Sequence, residues 1–359
     1  MVTIKDIARI ANVSVGTVDR VIHNRQGVSE KTKVKVNKIL KENNFKINVI
    51  ARSLAMKKKY TVAVLIPEFR EENLFWKSPL MGISKASDEV LSFGVEVELF
   101  SFNQSDCDSY LKQFELLIKL NPKAVILAPF FLKETKLMVS KLEAKGIPYM
   151  FLNLEAEGFN NCSFIGQDSY KAGYLTGKLM YLSTGDNSTY LVSIINSNLF
   201  NNIVIEKRIK GFEDFFKKNK IKFKIRNVNF DDLEDDNLIS KTINTLLNDD
   251  KSIKGILVPS SRIATISNCI SEQNLVNIRL IGFDTTEQNI EQLRKNRITF
   301  LISQKSFNQG YTAVNEMADY LIHNKVPQKK IFFPIEIVTK ENEEFSQRNK
   351  WEFNSLSNI

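Results

Sequence analysis

The sequence predicts a small all-α headpiece followed by a large α/β body built on two parallel sheets. Three observations carry this reading. At 359 residues the chain is too long for one ordinary core. Residues 1–60 hold 14 Lys and Arg against 4 Asp and Glu, whereas the remaining 299 residues hold 36 against 37, so the basicity is confined to one terminal segment. From residue 61 onward, short apolar runs alternate with helix-length amphipathic segments, the pattern of parallel strands covered on both faces.

The basic segment alternates its charges with Ile, Val, Leu and Ala, so it can fold. In "TIKDIARIA", Thr3 stands three residues before Asp6 at a capping-box spacing, and Ile4, Ile7, Ala8 and Ala11 share one helix face. "SVGTVDRVIH" opens on Ser14 as N-cap. "SEKTKVKVNKILKEN" starts at Ser29 and buries Val36, Ile39 and Leu40. Three short helices, the first two joined by the tight "ANV" connection, make a helix-turn-helix bundle. In the second helix Val18, Val21 and Ile22 face the bundle, while Gly16, Asp19, Arg20 and His23 recur at i, i+3, i+4 and i+7 on the outward face. Glycine in the first turn lets backbone approach a groove closely, and Arg20 one turn later can reach the O6 and N7 of guanine.

After the bundle, "INVIARSLAMKKKYTVAVLIPE" holds a short helix pattern with Asn48 as cap, three lysines, and a strand. "TIKDIARIANVSVGTVDRVIHNRQGVSEKT" followed by "ARSLA" resembles the DNA-binding headpiece and hinge of the lactose repressor (LacI/GalR) family, over about the first 60 residues. The resemblance implies a headpiece over 1–47 and a hinge helix with linker over 48–60. Val15, Gly16 and Arg20 then match positions whose side chains read bases, and Thr17, Asn24 and Arg25 suit phosphate contacts. Arg52 and Leu54 lie in the hinge helix, Leu54 matching the leucine that wedges into the minor groove and trades unstacking for a bend. Asp19 departs from the family, where a small hydroxyl residue is commoner; it accepts from a cytosine amino group or pairs with a nearby arginine.

The body follows in order: "TVAVLIP", "VEVELFSF", "AVILAPF", "IPYMFLN", "SFIGQD", "TYLVSII", "GILVPSS", "RLIGFD" and "ITFLISQ" read as strands. It resembles the periplasmic-binding-protein type I fold that follows the headpiece in the same family, with a ligand cleft between two subdomains. That resemblance places an N-subdomain at about 61–160 and 291–320 and a C-subdomain at about 161–290 and 321–340. The chain then crosses near residues 161, 290 and 320, and a tail runs over 341–359. Ligand groups gather at the carboxyl ends of parallel strands, which selects Asp168, Asp284 and Gln304. Arg208 in "EKRIKGF" matches a ligand-contacting arginine of the family, and Asp284 its sugar-binding aspartate. Carboxylates and a guanidinium suit paired sugar hydroxyls, and Phe75 and Trp76 fit stacking on an apolar sugar face. Where many family members carry Asn-Asp, this chain has Ser260, Ser261 and Arg262. An arginine there points to an acidic sugar or sugar phosphate, or to an ion pair across the domain.

Several classes fall away. There is no Walker A, no GxGxxG after a strand, no HExxH and no nucleophile elbow, so no enzymatic activity and no cofactor is expected. Three cysteines, Cys107, Cys162 and Cys269, and two histidines, His23 and His323, are too few and too scattered for a metal site. No run approaches the roughly 20 apolar residues of a membrane span and no export signal is visible, which places the protein in the cytoplasm, away from membranes. The expectation is a regulator, dimeric or tetrameric, that binds a near-palindromic double-stranded operator under control of a small-molecule effector. The effector is a sugar or sugar derivative. The alternatives are a non-sugar ligand such as a nucleobase, or a sugar-binding protein without DNA function. Release and recruitment of DNA by the effector are both open.

Overall fold

The apolar stripes of the first 43 residues close on one another. In the computed structural model, which describes residues 4–22, 27–43, 59–70, 74–195, 203–230 and 236–347, they form three helices. These are α1 (Ile4–Ala11), α2 (Val15–Ile22) and α3 (Glu30–Glu42). Their shared core is Ile7, Ala8, Ala11, Val18, Val21, Val36 and Ile39, with Ile22 and Leu40 packed at its edge. The α1–α2 turn is a left-handed helix end: Asn12 takes φ 51°, its N–H donates to Arg9 O, and the Val13 N–H donates to Ala8 O at 3.0 Å. Ser14 caps α2 by accepting from the Thr17 N–H at 3.0 Å, and Ser29 caps α3 by accepting from Thr32. Each such cap contributes about 1 kcal/mol. Thr3, His23 and the expected hinge helix from Asn48 lie outside the described residues.

Residues from 59 onward form a separate compact unit. In chain order it runs β1 (Tyr60–Pro67), a 3-10 turn (Leu74–Trp76), α4 (Lys77–Leu91), β2 (Val95–Phe102), α5 (Cys107–Lys119), β3 (Ala124–Leu127), α6 (Leu132–Ala144), β4 (Tyr149–Leu152) and β5 (Ser163–Gly166). Then follow α7 (Ser169–Thr184), β6 (Ser188–Ile195), α8 (Ile203–Lys218), β7 (Phe223–Phe230), α9 (Asp236–Asp249), β8 (Ile253–Val258), α10 (Ile263–Cys269), α11 (Glu272–Leu275) and β9 (Arg279–Phe283). The unit ends with α12 (Glu287–Arg294), β10 (Phe300–Ser303), α13 (Ser306–His323), β11 (Lys330–Phe332), β12 (Glu336–Val338) and α14 (Glu343–Gln347).

The strands make two six-stranded sheets with one plan, in the orders β11-β5-β4-β3-β1-β2 and β12-β10-β9-β8-β6-β7. All pairings are parallel except β10 with β12. Core clusters cover both faces of each sheet. The two halves also share a helix crossing. A Cβ on Gly82 or Gly310 would lie 2.0 Å from Phe307 O or 2.2 Å from Pro79 O, and one on Gly211 or Gly173 would lie 2.1 Å from Tyr170 O or 1.9 Å from Arg208 O. The pairs α4–α13 and α8–α7 therefore meet backbone to backbone at corresponding points.

Four features differ from the sequence reading. Strand β7 was hidden because Lys224, Arg226, Asn227 and Asn229 interrupt its apolar residues on an edge; β11 and β12 are too short to show a period. The crossings fall later than 161, 290 and 320. Strand β5 pairs with β4, β10 pairs with β9, α13 packs on α4 and the first sheet, and β11 pairs with β5. The chain thus changes subdomain after Gly166, around Gln304, and between Phe332 and Glu336, because an apolar run does not reveal which sheet its hydrogen bonds join. Finally, the start of the expected tail is packed: Glu343 and Ser346 are buried, Arg294 pairs with Glu343 at 2.8 Å, and Lys305 Nζ donates to Ser346 O at 2.9 Å.

Candidate functional site

Two surfaces qualify, one on each unit. On the headpiece, Val18 and Val21 take the inner face of α2, which leaves Val15, Gly16 and Arg20 exposed and Thr17 and Asp19 half-buried. Among the described residues, a Cβ on Gly16 would meet nothing closer than Ser14 Oγ at 3.8 Å, so packing between them does not require glycine there. Asn24, Arg25, Arg52 and Leu54 lie outside the described residues.

On the body, a cavity of about 230 Å³ opens at the carboxyl ends of β9 and β10, where their backbone groups and the first turns of α12 and α13 converge. Phe75, Lys77, Ser78 and Met81 line it from the N-subdomain, Asp284 to Glu287 and Ser303 from the C-subdomain, and Lys305 to Phe307 and Ser346 close it. Lys77 crosses to Glu287 at 2.8 Å, and Lys305 pairs with Glu336 at 2.7 Å. A second ion pair between subdomains, Lys207 to Glu155 at 3.0 Å, joins α8 to the loop after β4.

Asp284 is the centre of this arrangement. It follows β9 directly at φ 70°, and its N–H donates to Ile302 O at 2.9 Å. The Asn289 amide donates to its carbonyl at 3.0 Å, which anchors the turn to α12. Its side-chain Oδ1 accepts from Gln304 Nε2 at 2.7 Å. Burial pushes its carboxyl up to about 6, against the opposing pull of Arg208 and the Gln304 bond. Arg208, buried on α8, donates from Nη1 to Pro259 O at 2.9 Å and lays its guanidinium 3.7 Å from the centre of the Phe283 ring. Burial pulls its pKa down to about 10 while Asp284 opposes the shift. Its Nε has no hydrogen-bond partner among the described residues. Burial thus outweighs mutual attraction at both ends of the pair, which leaves two poorly solvated charges and an unpartnered donor, a site suited to a ligand that brings its own hydroxyl groups.

Of the residues expected at a ligand, Asp284, Arg208, Gln304 and Phe75 are brought to this region. Trp76 is a correction: the 3-10 turn directs it inward, it is 3% exposed in the N-subdomain core, and it meets Phe75 edge to face at 5.2 Å. Asp168 is a second: it is the N-cap of α7, accepting from the Lys171 N–H at 2.9 Å and pairing with the Lys171 side chain. Arg262 sits half-buried at the start of α10 and does not line the cavity. Lys77, Ser78 and Ser346 were missed and have no local signal; Thr285, Thr286 and Ser306 were missed too, although hydroxyl residues at the strand ends in "FDTTE" and "ISQKS" were a legible one. Gln167 was also missed: its Nε2 donates to Ser303 O at 3.1 Å and to Pro334 O at 3.3 Å, so one side chain ties the three crossings together.

The fold and the cleft define a class: a binding protein of two hinged α/β subdomains preceded by a helix-turn-helix unit. The chain belongs to the periplasmic binding protein domain family, whose model matches residues 62–325, and it carries a helix-turn-helix domain of the bacterial regulatory proteins, lacI family, whose model matches residues 3–48. Catabolite control protein A of Staphylococcus aureus is 44% identical over 82 residues, 23% of this chain and 24% of that protein, so the match spans about a quarter of that relative. The HTH-type transcriptional regulator MalR of Streptococcus pneumoniae is 25% identical over 298 residues, 80% of this chain and 85% of that one. Among solved structures, the glucose-galactose binding protein GanP of Geobacillus stearothermophilus superposes with a TM-score of 0.66 at 22% identity, covering 80% of this chain and 99% of its own. That likeness speaks for the fold.

Proposed function

We propose that the protein is a carbohydrate-responsive transcription regulator that binds a near-palindromic operator as a dimer, with a sugar in the cleft changing operator affinity. The observation that carries it is the buried Arg208–Asp284–Gln304 group beside a cavity lined by both polar and apolar side chains, in a chain that also bears a lacI-type headpiece. GanP, which shares the body's fold, is a glucose-galactose binding protein. The two lysines on the cavity wall are each paired, Lys77 with Glu287 and Lys305 with Glu336, which favours a neutral polyol over an acidic sugar or a phosphate. Arg262, outside the cavity lining, adds no cation to it.

On the DNA side, Val15, Gly16 and Arg20 read the major groove while Thr17, Asn24 and Arg25 hold phosphates. Arg52 and Leu54 act in the minor groove from the hinge, and Asp19 tunes the base preference or fixes an arginine. The protein acts on DNA in the cytoplasm and needs no cofactor. Effector binding and operator binding are linked by a coupling of typically about 1–3 kcal/mol. A thermal-shift panel of neutral, acidic and phosphorylated sugars tests the effector, since a ligand stabilises the fold by mass action. A neutral sugar that raises Tm in the wild type and has no effect on Asp284→Ala is the expected result. A shift that survives Asp284→Ala places the ligand elsewhere.

A further inference from the structure

The repeated plan of the two subdomains gives Asp284 a counterpart. Asp284 follows β9 at φ 70° and donates its N–H to Ile302 O on β10; Asn153 follows β4 at φ 66° and donates its N–H to Ile165 O on β5 at 2.7 Å. Strands β4 and β5 occupy in one sheet the places of β9 and β10 in the other, with Leu152 opposite Ile165 as Phe283 is opposite Ile302. Gln304, at the second crossing, touches both counterparts. Its Nε2 donates to Asp284 Oδ1 at 2.7 Å and its Oε1 accepts from Asn153 Nδ2 at 3.1 Å.

A carboxamide donates at one end and accepts at the other, so what Asn153 offers decides how Gln304 is turned. Asn153 Nδ2 also donates to Gln309 Oε1 at 3.0 Å, and Gln309 Nε2 donates to the Gln304 backbone carbonyl at 2.7 Å. Reversing Gln304 would aim its carbonyl at a carboxylate and its NH2 group at another NH2 group. Only one assignment satisfies the chain. We infer that Asn153 is a positioning residue of the cleft: from the N-subdomain it holds the Gln304 amide with its NH2 group on Asp284, and so sets the carboxylate that an effector meets. Asparagine suits the task because it tolerates a left-handed backbone and carries the donor. Its bearing on effector binding presupposes Asp284 as the effector contact, the reading proposed above.

The charged groups around Asp284 are Arg208 from α8 and, along the cavity, Lys77, Glu287 and Lys305. The Gln304 bond opposes the upward push that burial gives the Asp284 carboxyl. Thermal unfolding of the full-length chain without effector, from about pH 4.5 to about pH 8, therefore reports on Asn153. The variants are Asn153→Gly, Asp284→Asn and the double substitution. Glycine accepts the left-handed φ and removes both donors without adding a charge. In Asn153→Gly the fall of Tm with rising pH should move upward by about one pH unit, the worth of one hydrogen bond to a charged group, and this movement should vanish when Asp284 is replaced. A profile that stays where the wild type has it, or a movement that persists in the double variant, overturns the assignment. If Asn153→Gly does not fold, Gln304→Met removes the same bridge from its other end and must move the profile the same way; an unmoved profile there is equally decisive. Failure of every sugar to raise Tm would count against the effector reading alone.

Discussion

Gly16 is exposed in the first turn of α2, and among the described residues nothing in the headpiece needs its missing side chain. Gly16→Ala should therefore leave the headpiece as stable or firmer by up to about 1 kcal/mol, since alanine costs less backbone entropy in a helix. If the backbone at Gly16 lies against a groove, operator affinity falls in the same variant. Melting and fluorescence anisotropy on one preparation separate the two effects, and unchanged affinity would remove Gly16 from the contact surface. In the cleft, burial lifts the Asp284 carboxyl from 3.8 to about 6. Between those values the folded chain holds a proton that the unfolded chain releases. Stability is therefore greatest below the unfolded value and falls as pH rises, with a cost of about 3 kcal/mol in place by pH 7. Denaturant unfolding at pH 5 and pH 7 should show this fall in the wild type and a flatter profile in Asp284→Asn. Arg208→Met, which removes the opposing cation, should shift the fall to higher pH; a profile identical to the wild type would mean that Arg208 does not act on this carboxylate.

At the scale of elements, the α7–α8 crossing positions the site. Gly173 lets α7 approach the backbone of Arg208 so closely that a Cβ would stand 1.9 Å from its carbonyl oxygen. Gly173→Ala should separate the helices, cost about 1–3 kcal/mol by overpacking, and displace the Arg208 side chain from Phe283. Urea unfolding gives the stability loss; a loss below about 0.5 kcal/mol would show that the helices part freely. The elements of the headpiece were legible because their signals are local: Ser14 and Ser29 as caps and Val18 and Val21 at helical spacing are all found where the sequence puts them. The nine apolar runs are strands for the same reason. Strand β7 escaped because an edge strand needs no continuous apolar run, and its polar residues face water.

For the whole molecule, the uneven charge makes a prediction of its own. If each headpiece neutralises about six phosphates, log operator affinity should fall with log salt at a slope of about −5 per headpiece. A titration of operator binding against salt measures this, and a flat dependence would rule out such a contact surface. The cleft was half legible. Strand ends and family resemblance selected Asp284, Arg208 and Gln304, which the structure brings together, but the strand-end rule also selected Asp168, whose carboxylate caps α7. Trp76 was chosen for its chemistry, and the turn that carries it points it into the core.

The sequence by itself determined the two-part construction, the helix-turn-helix pattern, the strand and helix alternation and the lacI-type resemblance, because charge, caps and apolar periodicity are properties of neighbouring residues. The tertiary structure decided which sheet each strand joins, where the three crossings fall, and that the start of the expected tail helps close the cavity. It also decided that Asn153 and Asp284, 131 positions apart, meet on one glutamine. Those outcomes depend on hydrogen bonds and packing between segments far apart in the chain, and no local spacing encodes them.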